Sequence, residues 1–383
     1  MRILVLCAAV AVSSLGVTAE AATFAIINGD GPGEGFNDNT PALPVGGNTG
    51  DTVGEQRLIA FQYAADLWGA RIDSDIVIRV DASFDELDCS SFSAVLGAAG
   101  PSAFNRDFNG APLSNTWYSP SLANLLAGSD INAGTTEVTA FFNSRLGQPN
   151  CLTGTFFYYG LDGNEGLNID FVTVLTHELG HGLGFLSFVN PSNGQELAGF
   201  TDVFSTFLED HSTGELFPDM TDFERAVASV DGSQSTSGLH WVGQSAIDAG
   251  EFLTSGRHSS GHLLMYAPNP VEPGSSVSHW AKVMSPNQMM EPSFTAALHN
   301  IDLELALFSD LGYPTIFPCG DATQDGLLSA SDALFALNVS VGLGSCIETL
   351  CDVNGSGTTT STDALAILNA GVGLPVATSC GLS

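Results

Sequence analysis

Two imidazoles four residues apart, with a carboxylate beside the first, stand in the stretch His177-Glu178-Leu179-Gly180-His181. Residues i and i+4 share one face of a helix, so His177 and His181 can grip one Zn²⁺ while Glu178 takes the proton of an attacking water. That is the chemistry of a zinc hydrolase. A second pattern, rich in oxygen ligands, occurs twice near the C-terminus. Asp321, Thr323, Asp325, Leu327, Ser329 and Asp332 occupy positions 1, 3, 5, 7, 9 and 12 of a twelve-residue loop with Gly326 at position 6. Asp352, Asn354, Ser356, Thr358, Thr360 and Asp363 repeat it around Gly357. Five of the six positions bring side-chain oxygens and position 7 a backbone carbonyl, the spacing by which a loop wraps Ca²⁺.

Both patterns need elements to hold them. Asp170 can cap a helix that the apolar residues 171 to 175 carry into the histidine pair, and Gly182 and Gly184 can end it. Upstream, residues 57 to 68 place Leu58, Phe61, Ala65 and Trp68 near helical spacing. Residues 75 to 84 alternate like a strand, with Ile76, Ile78, Val80 and Ala82 on one face. Shorter strands are expected at 137 to 142 and 155 to 159. Residues 29 to 50 read as an irregular entry segment, and 190 to 276, rich in Gly, Ser, Asp and Pro, as a long insertion. An amphipathic helix at 301 to 311 closes this body, 314 to 318 serve as a linker, and each oxygen-rich loop runs into an apolar helix, at 333 to 337 and 364 to 368. The fold class expected is α+β: a mixed body at 22 to 313, then a small all-α module at 319 to 383.

Composition narrows the partners. Asp and Glu number 42 against 9 Lys and Arg, a formal net charge of −33, so phosphate backbones and anionic membrane surfaces would repel the chain. Nucleic acid and membrane are therefore excluded, and the carboxylates read as a solvated surface. The N-terminus sets the compartment. Arg2, the apolar run to Val17 and the small residues around Ala19-Glu20-Ala21 read as a secretory signal peptide over 1 to 21. Without Cys7, which lies in that leader, six cysteines remain, an even number that favours disulfides in an exported chain. Position pairs Cys89 with Cys151 and leaves Cys319, Cys346, Cys351 and Cys380 to pair among themselves.

A zinc peptidase needs a third ligand. The position three residues after Gly184, where a metzincin commonly carries histidine, is Ser187. A second string supplies the lack: Ser278-His279-Trp280, then Met289-Met290-Glu291-Pro292, with Met290 eleven residues beyond His279. This block resembles the third-ligand and Met-turn segment of the leishmanolysin-like metzincins, in which an insertion separates the glycine from the third histidine. The segment from Leu305 to Tyr313 is similar to the closing helix of that family. The resemblance implies that His177, His181 and His279 hold zinc, that Glu178 is the catalytic base, that Gly184 turns the chain beneath the metal, and that Met290 floors the site. It implies a protein or peptide substrate. The chain is cysteine-poor for that family, lacks a C-terminal lipid-anchor signal and offers no cysteine for a latency switch. The duplicated loop and helix resemble a type I dockerin, which implies calcium binding and a cohesin domain as partner; the alternative for this module is a calcium-stapled cap with no partner.

Two rival readings differ in what they ask of the residues. A gluzincin would take Glu196 or Glu209 as third ligand, and an inactive, calcium-dependent adhesion or scaffold protein would have no use for Glu178. His211, His240, His258, His262 and His299 read as surface or structural residues, since no matching methionine string follows any of them. His258 and His262 share the i, i+4 spacing, but Ser259, Ser260 and Gly261 between them argue against a helix.

Overall fold

The computed structural model describes residues 21 to 232, 238 to 324, 328 to 344, 346, 348 to 376 and 380. The expected leader, apart from Ala21, lies outside these residues. Strand β1 (Phe24–Asn28) is followed by helix α1 (Val53–Gly69), which a capping box starts: Thr52 accepts the Glu55 backbone N–H while the Glu55 carboxylate accepts that of Thr52. Strands β2 (Ile78–Asp85) and β3 (Gly97–Pro101), helix α2 (Pro120–Ala127) and strand β4 (Val138–Asn143) complete a four-stranded sheet and its neighbours. The order is β1-β2-β4-β3, with the first three parallel and β3 an antiparallel edge. Alternate residues of β2, namely Ile78, Val80, Ala82 and Phe84, are buried. They face one core with Phe61 and Trp68 of α1.

Helix α3 (Phe171–Leu183) carries the histidine pair and lies in that core. Asp170 caps it, Oδ1 accepting the Thr173 N–H at 2.7 Å, an interaction worth about 1 kcal/mol. Phe171, Val172, Leu175, Leu179 and Leu183 are fully buried, each adding roughly 1.5–3 kcal/mol of apolar burial. Gly182 lies inside the helix, where a Cβ would strike Val138 of β4, so it serves close packing. The helix ends at Gly184, whose φ of 126° suits glycine.

The expected insertion contains a small sheet of its own. Strands β5 (Leu208–Asp210), β6 (Glu215–Leu216), β7 (Leu239–Trp241) and β8 (Leu263–Leu264) pair antiparallel in the order β6-β5-β7-β8. Helix α4 (Asp302–Leu311) then packs into the main core. Residues 314 to 316, expected as linker, run along 71 to 73: the Asp73 N–H donates to the Pro314 carbonyl and that of Ile316 to Arg71. Helices α5 (Ala330–Ser340) and α6 (Ser361–Gly371) enclose a second, smaller core of Ala322, Ala333, Ala336, Cys351, Val353, Ala364 and Ile367. The chain is thus mixed α+β. Disulfides join Cys89 to Cys151, Cys319 to Cys380 and Cys346 to Cys351, the grouping expected from position. Among the described residues no helix is long and apolar enough to cross a membrane.

Candidate metal centre

Helix α3 presents His177 and His181 on one face, and the chain returns from the insertion to set His279 against them. The three Nε2 atoms form a triangle with edges of 3.1, 3.1 and 3.2 Å. Each ring is oriented from behind by a backbone carbonyl that its Nδ1 faces at 2.8 Å: Met289 for His177, Phe185 for His181 and Ser275 for His279. A carbonyl can only accept, so each Nδ1 carries the hydrogen and each Nε2 is left with a bare lone pair. Three such lone pairs cannot bond to one another. The group they fit is a cation, and tetrahedral ligands at about 2.0–2.1 Å from zinc stand about 3.3 Å apart. Burial lowers the basicity of all three rings, His181 to about 3 with help from His177, and His279 well below the ordinary value. They are neutral at neutral pH, as ligation requires.

Glu178 lies beside the triangle without joining it. Its side chain packs on Gly97 of β3, where a Cβ would come within 2.9 Å of it, and it is 7% exposed. Burial pushes its carboxyl up to about 8, partly offset by a hydrogen bond from the Ala99 backbone. Met290 is fully buried. Its Sδ stands 2.8 Å from where a Cβ on Gly180 would lie, so the methionine supports the helix between the two ligands. The Trp280 N–H donates to the Met290 carbonyl at 2.9 Å, which ties the third ligand to that methionine.

The chain matches no family model, no curated protein and no solved structure in comparisons with known proteins. The site is therefore read from its own geometry.

The structure brings His177, His181, His279, Glu178 and Met290 together and keeps Ser187 away: its hydroxyl bonds that of Ser205 and its N–H the Ser278 hydroxyl. Gly184 turns the chain by donating to the Gly180 and His181 carbonyls. Neither glutamate of the rival reading reaches the triangle, since Glu196 lies 3.8 Å from Arg225 and Glu209 lies with histidines of the insertion sheet. Sequence reasoning missed Glu304 of α4, buried, whose Oε1 accepts the Met290 N–H at 3.1 Å and the Trp280 indole N–H at 3.0 Å. It also missed Asp202, buried, which accepts the Phe188 N–H at 2.9 Å and the Ser205 N–H and hydroxyl at 2.8 Å. A carboxylate on an apolar helix face was the one available signal for Glu304.

In the C-terminal module the position-12 aspartates close their loops. Asp332 accepts from the Thr323 N–H and hydroxyl through Oδ1 and from those of Ser329 through Oδ2, at 2.8–2.9 Å. Asp363 accepts from the Asn354 N–H at 3.2 Å and from the Thr360 N–H and hydroxyl at 2.9 and 2.7 Å. Asp352 accepts the Ser356 N–H at 2.9 Å, and the Ser356 hydroxyl donates to the Thr358 carbonyl. Asp325, Gly326 and Leu327 of the first loop lie outside the described residues.

Proposed function

We propose that this chain is a secreted, zinc-dependent endopeptidase of the leishmanolysin-like metzincin kind, with a calcium-binding, dockerin-like module at its C-terminus. The observation that carries the peptidase reading is the triangle of bare Nε2 atoms with a buried carboxylate beside it. His177, His181 and His279 would hold the ion. Bound there, zinc would supply a Lewis acid for the scissile carbonyl and for the acidity of the attacking water. Glu178, beside the triangle but outside it, would take that water's proton and later deliver it to the departing amine. Strand β3 is the sheet edge nearest Glu178, so an extended peptide can add to it by backbone pairing and bring its scissile bond to the carboxylate. Met290, held by Glu304, keeps the ligand helix at its distance from His279.

For the module, the 31-residue repeat extends beyond the loops. Leu334 and Leu365, Val341 and Val372, and Leu343 and Leu374 are each 31 residues apart, and all six are more than half exposed. Equivalent positions of both repeats thus offer apolar side chains to solvent, which supports docking onto a cohesin-like partner over a cap without one. The deciding experiment combines metal analysis with casein digestion by wild type and Glu178→Gln. The reading requires one zinc lost with His279→Ala, and casein cleavage that disappears in Glu178→Gln while that zinc stays. Undiminished cleavage by Glu178→Gln would refute it.

A further inference from the structure

Four of the eight histidines gather on the insertion sheet, away from the triad. Glu209 of β5 and His240 of β7 are paired directly across the two strands. His211 follows β5, and His262 precedes β8, the strand on the other side of β7. One carboxylate oxygen, Glu209 Oε1, lies 2.8 Å from His211 Nδ1 and 3.1 Å from His262 Nδ1. The His240 ring stacks on that of His211 with centroids 4.4 Å apart. Ligand atoms from Glu209, His211, His240 and His262 all lie within 4.8 Å of one another.

A hydrogen-bonded knot would explain Glu209, His211 and His262. It does not explain His240, which is fully buried and has a hydrogen-bond partner on neither ring nitrogen. An imidazole with two unsatisfied nitrogens costs roughly 1–3 kcal/mol for each group left unpaired, and this one is aimed into a cluster of potential ligands. From this we infer a second metal site, in which Glu209, His211, His240 and His262 bind a divalent transition ion of the zinc class. Three imidazoles and one carboxylate suit zinc and its neighbours; calcium prefers six to eight oxygens. His258 stays outside the set. Its ring packs 4.3 Å from that of His211, but its Nδ1 accepts the Ser260 N–H.

Four protein ligands make a closed site, so the role is structural: the ion joins β5, β7 and the turn before β8, strands of only two or three residues whose apolar side chains Leu208, Leu239, Trp241 and Leu263 pack into the main core.

The test uses the full chain, stripped of transition metals, held in excess calcium and titrated with Zn²⁺ alone. Wild type should take up two equivalents, His240→Ala one and His279→Ala one. Uptake of a single equivalent by wild type, abolished by His279→Ala, would overturn the second site, as would equal uptake by wild type and His240→Ala. Because His240 is buried, a partly exposed ligand provides an independent check. In the His279→Ala background zinc should raise the melting temperature by several degrees, and adding His262→Gln should abolish the rise. An unchanged melting temperature in His279→Ala overturns the site, leaving a hydrogen-bonded knot. The peptidase reading fails by a different sign, namely undiminished zinc uptake in His279→Ala.

Discussion

The two histidine clusters use the same side chains in opposite ways. In the triad every Nδ1 faces a backbone carbonyl and every Nε2 points inward, so the rings are fixed before any ion arrives, and the carboxylate of Glu178 stays outside the set, packed on Gly97. In the insertion sheet the carboxylate of Glu209 is inside the set, facing two Nδ1 atoms, and no backbone carbonyl orients His240. Where the backbone orients the rings, the neighbouring carboxylate is left out of the set. Where a fourth side chain closes the set, the same chemistry can only fasten.

The largest effect that would sharpen this contrast comes from exchanging the two carboxylates for amides. If Glu178 is the proposed base, Glu178→Gln should reduce peptide cleavage by about 10²- to 10⁴-fold with zinc uptake unchanged, since it lies outside the set of ligand atoms; Glu209→Gln should instead lower zinc uptake by one equivalent. Metal analysis beside a fluorogenic peptide assay reads both, and equal metal loss in the two variants would erase the distinction. Next in size is the third ligand. His279→Ala should lose the triad's zinc and its activity, whereas Glu196→Ala should keep both; the reverse would move the site to a gluzincin geometry.

A smaller effect tests the support behind the triad. Burial holds the Glu304 carboxyl at about 7 in the folded chain, above its ordinary value near 4.5. Its contribution is therefore fully present below about 4.5 and is lost as pH rises to about 7, because the unfolded chain ionises first. Urea unfolding of wild type should include this fall, of the order of 2–3 kcal/mol, and Glu304→Gln should make the profile shallower by that amount. Parallel pH profiles would show that Glu304 is ionised throughout and that burial does not govern it. The smallest effect separates oxygen sites from nitrogen sites. Calcium should raise the melting temperature of the C-terminal module by a few degrees, and Asp332→Ala with Asp363→Ala should remove the shift while zinc uptake stays at its wild-type value.

The sequence made the triad legible because two of its ligands share one helix and the third is tied to a methionine at a fixed interval. Asp170 and Gly184 marked the ends of that helix, and both stand where local chemistry puts them. The second cluster had no such signature. Its ligands sit on strands and a turn, at 209, 211, 240 and 262, and what gathers them is the pairing of β7 with β5 and β8, a long-range register that no local spacing encodes. Reading 258 to 262 as non-helical was sound, since Gly261 donates back to the His258 carbonyl in a turn. The further step, that this turn carries His262 to Glu209, was out of reach. Strand β3 was equally hidden: Gly97-Ala98-Ala99-Gly100-Pro101 has little strand propensity, and pairing with β4 makes it an edge.

The Cys89–Cys151 and Cys319–Cys380 bridges span 62 and 61 residues respectively. A backbone cut anywhere inside either loop leaves both pieces covalently attached. The first loop contains the edge strand beside Glu178 and the second nearly all of the module, so both can be nicked without being shed. A cut of this kind would be silent on a non-reducing gel. It would appear as new, shorter fragments only once the thiols were freed.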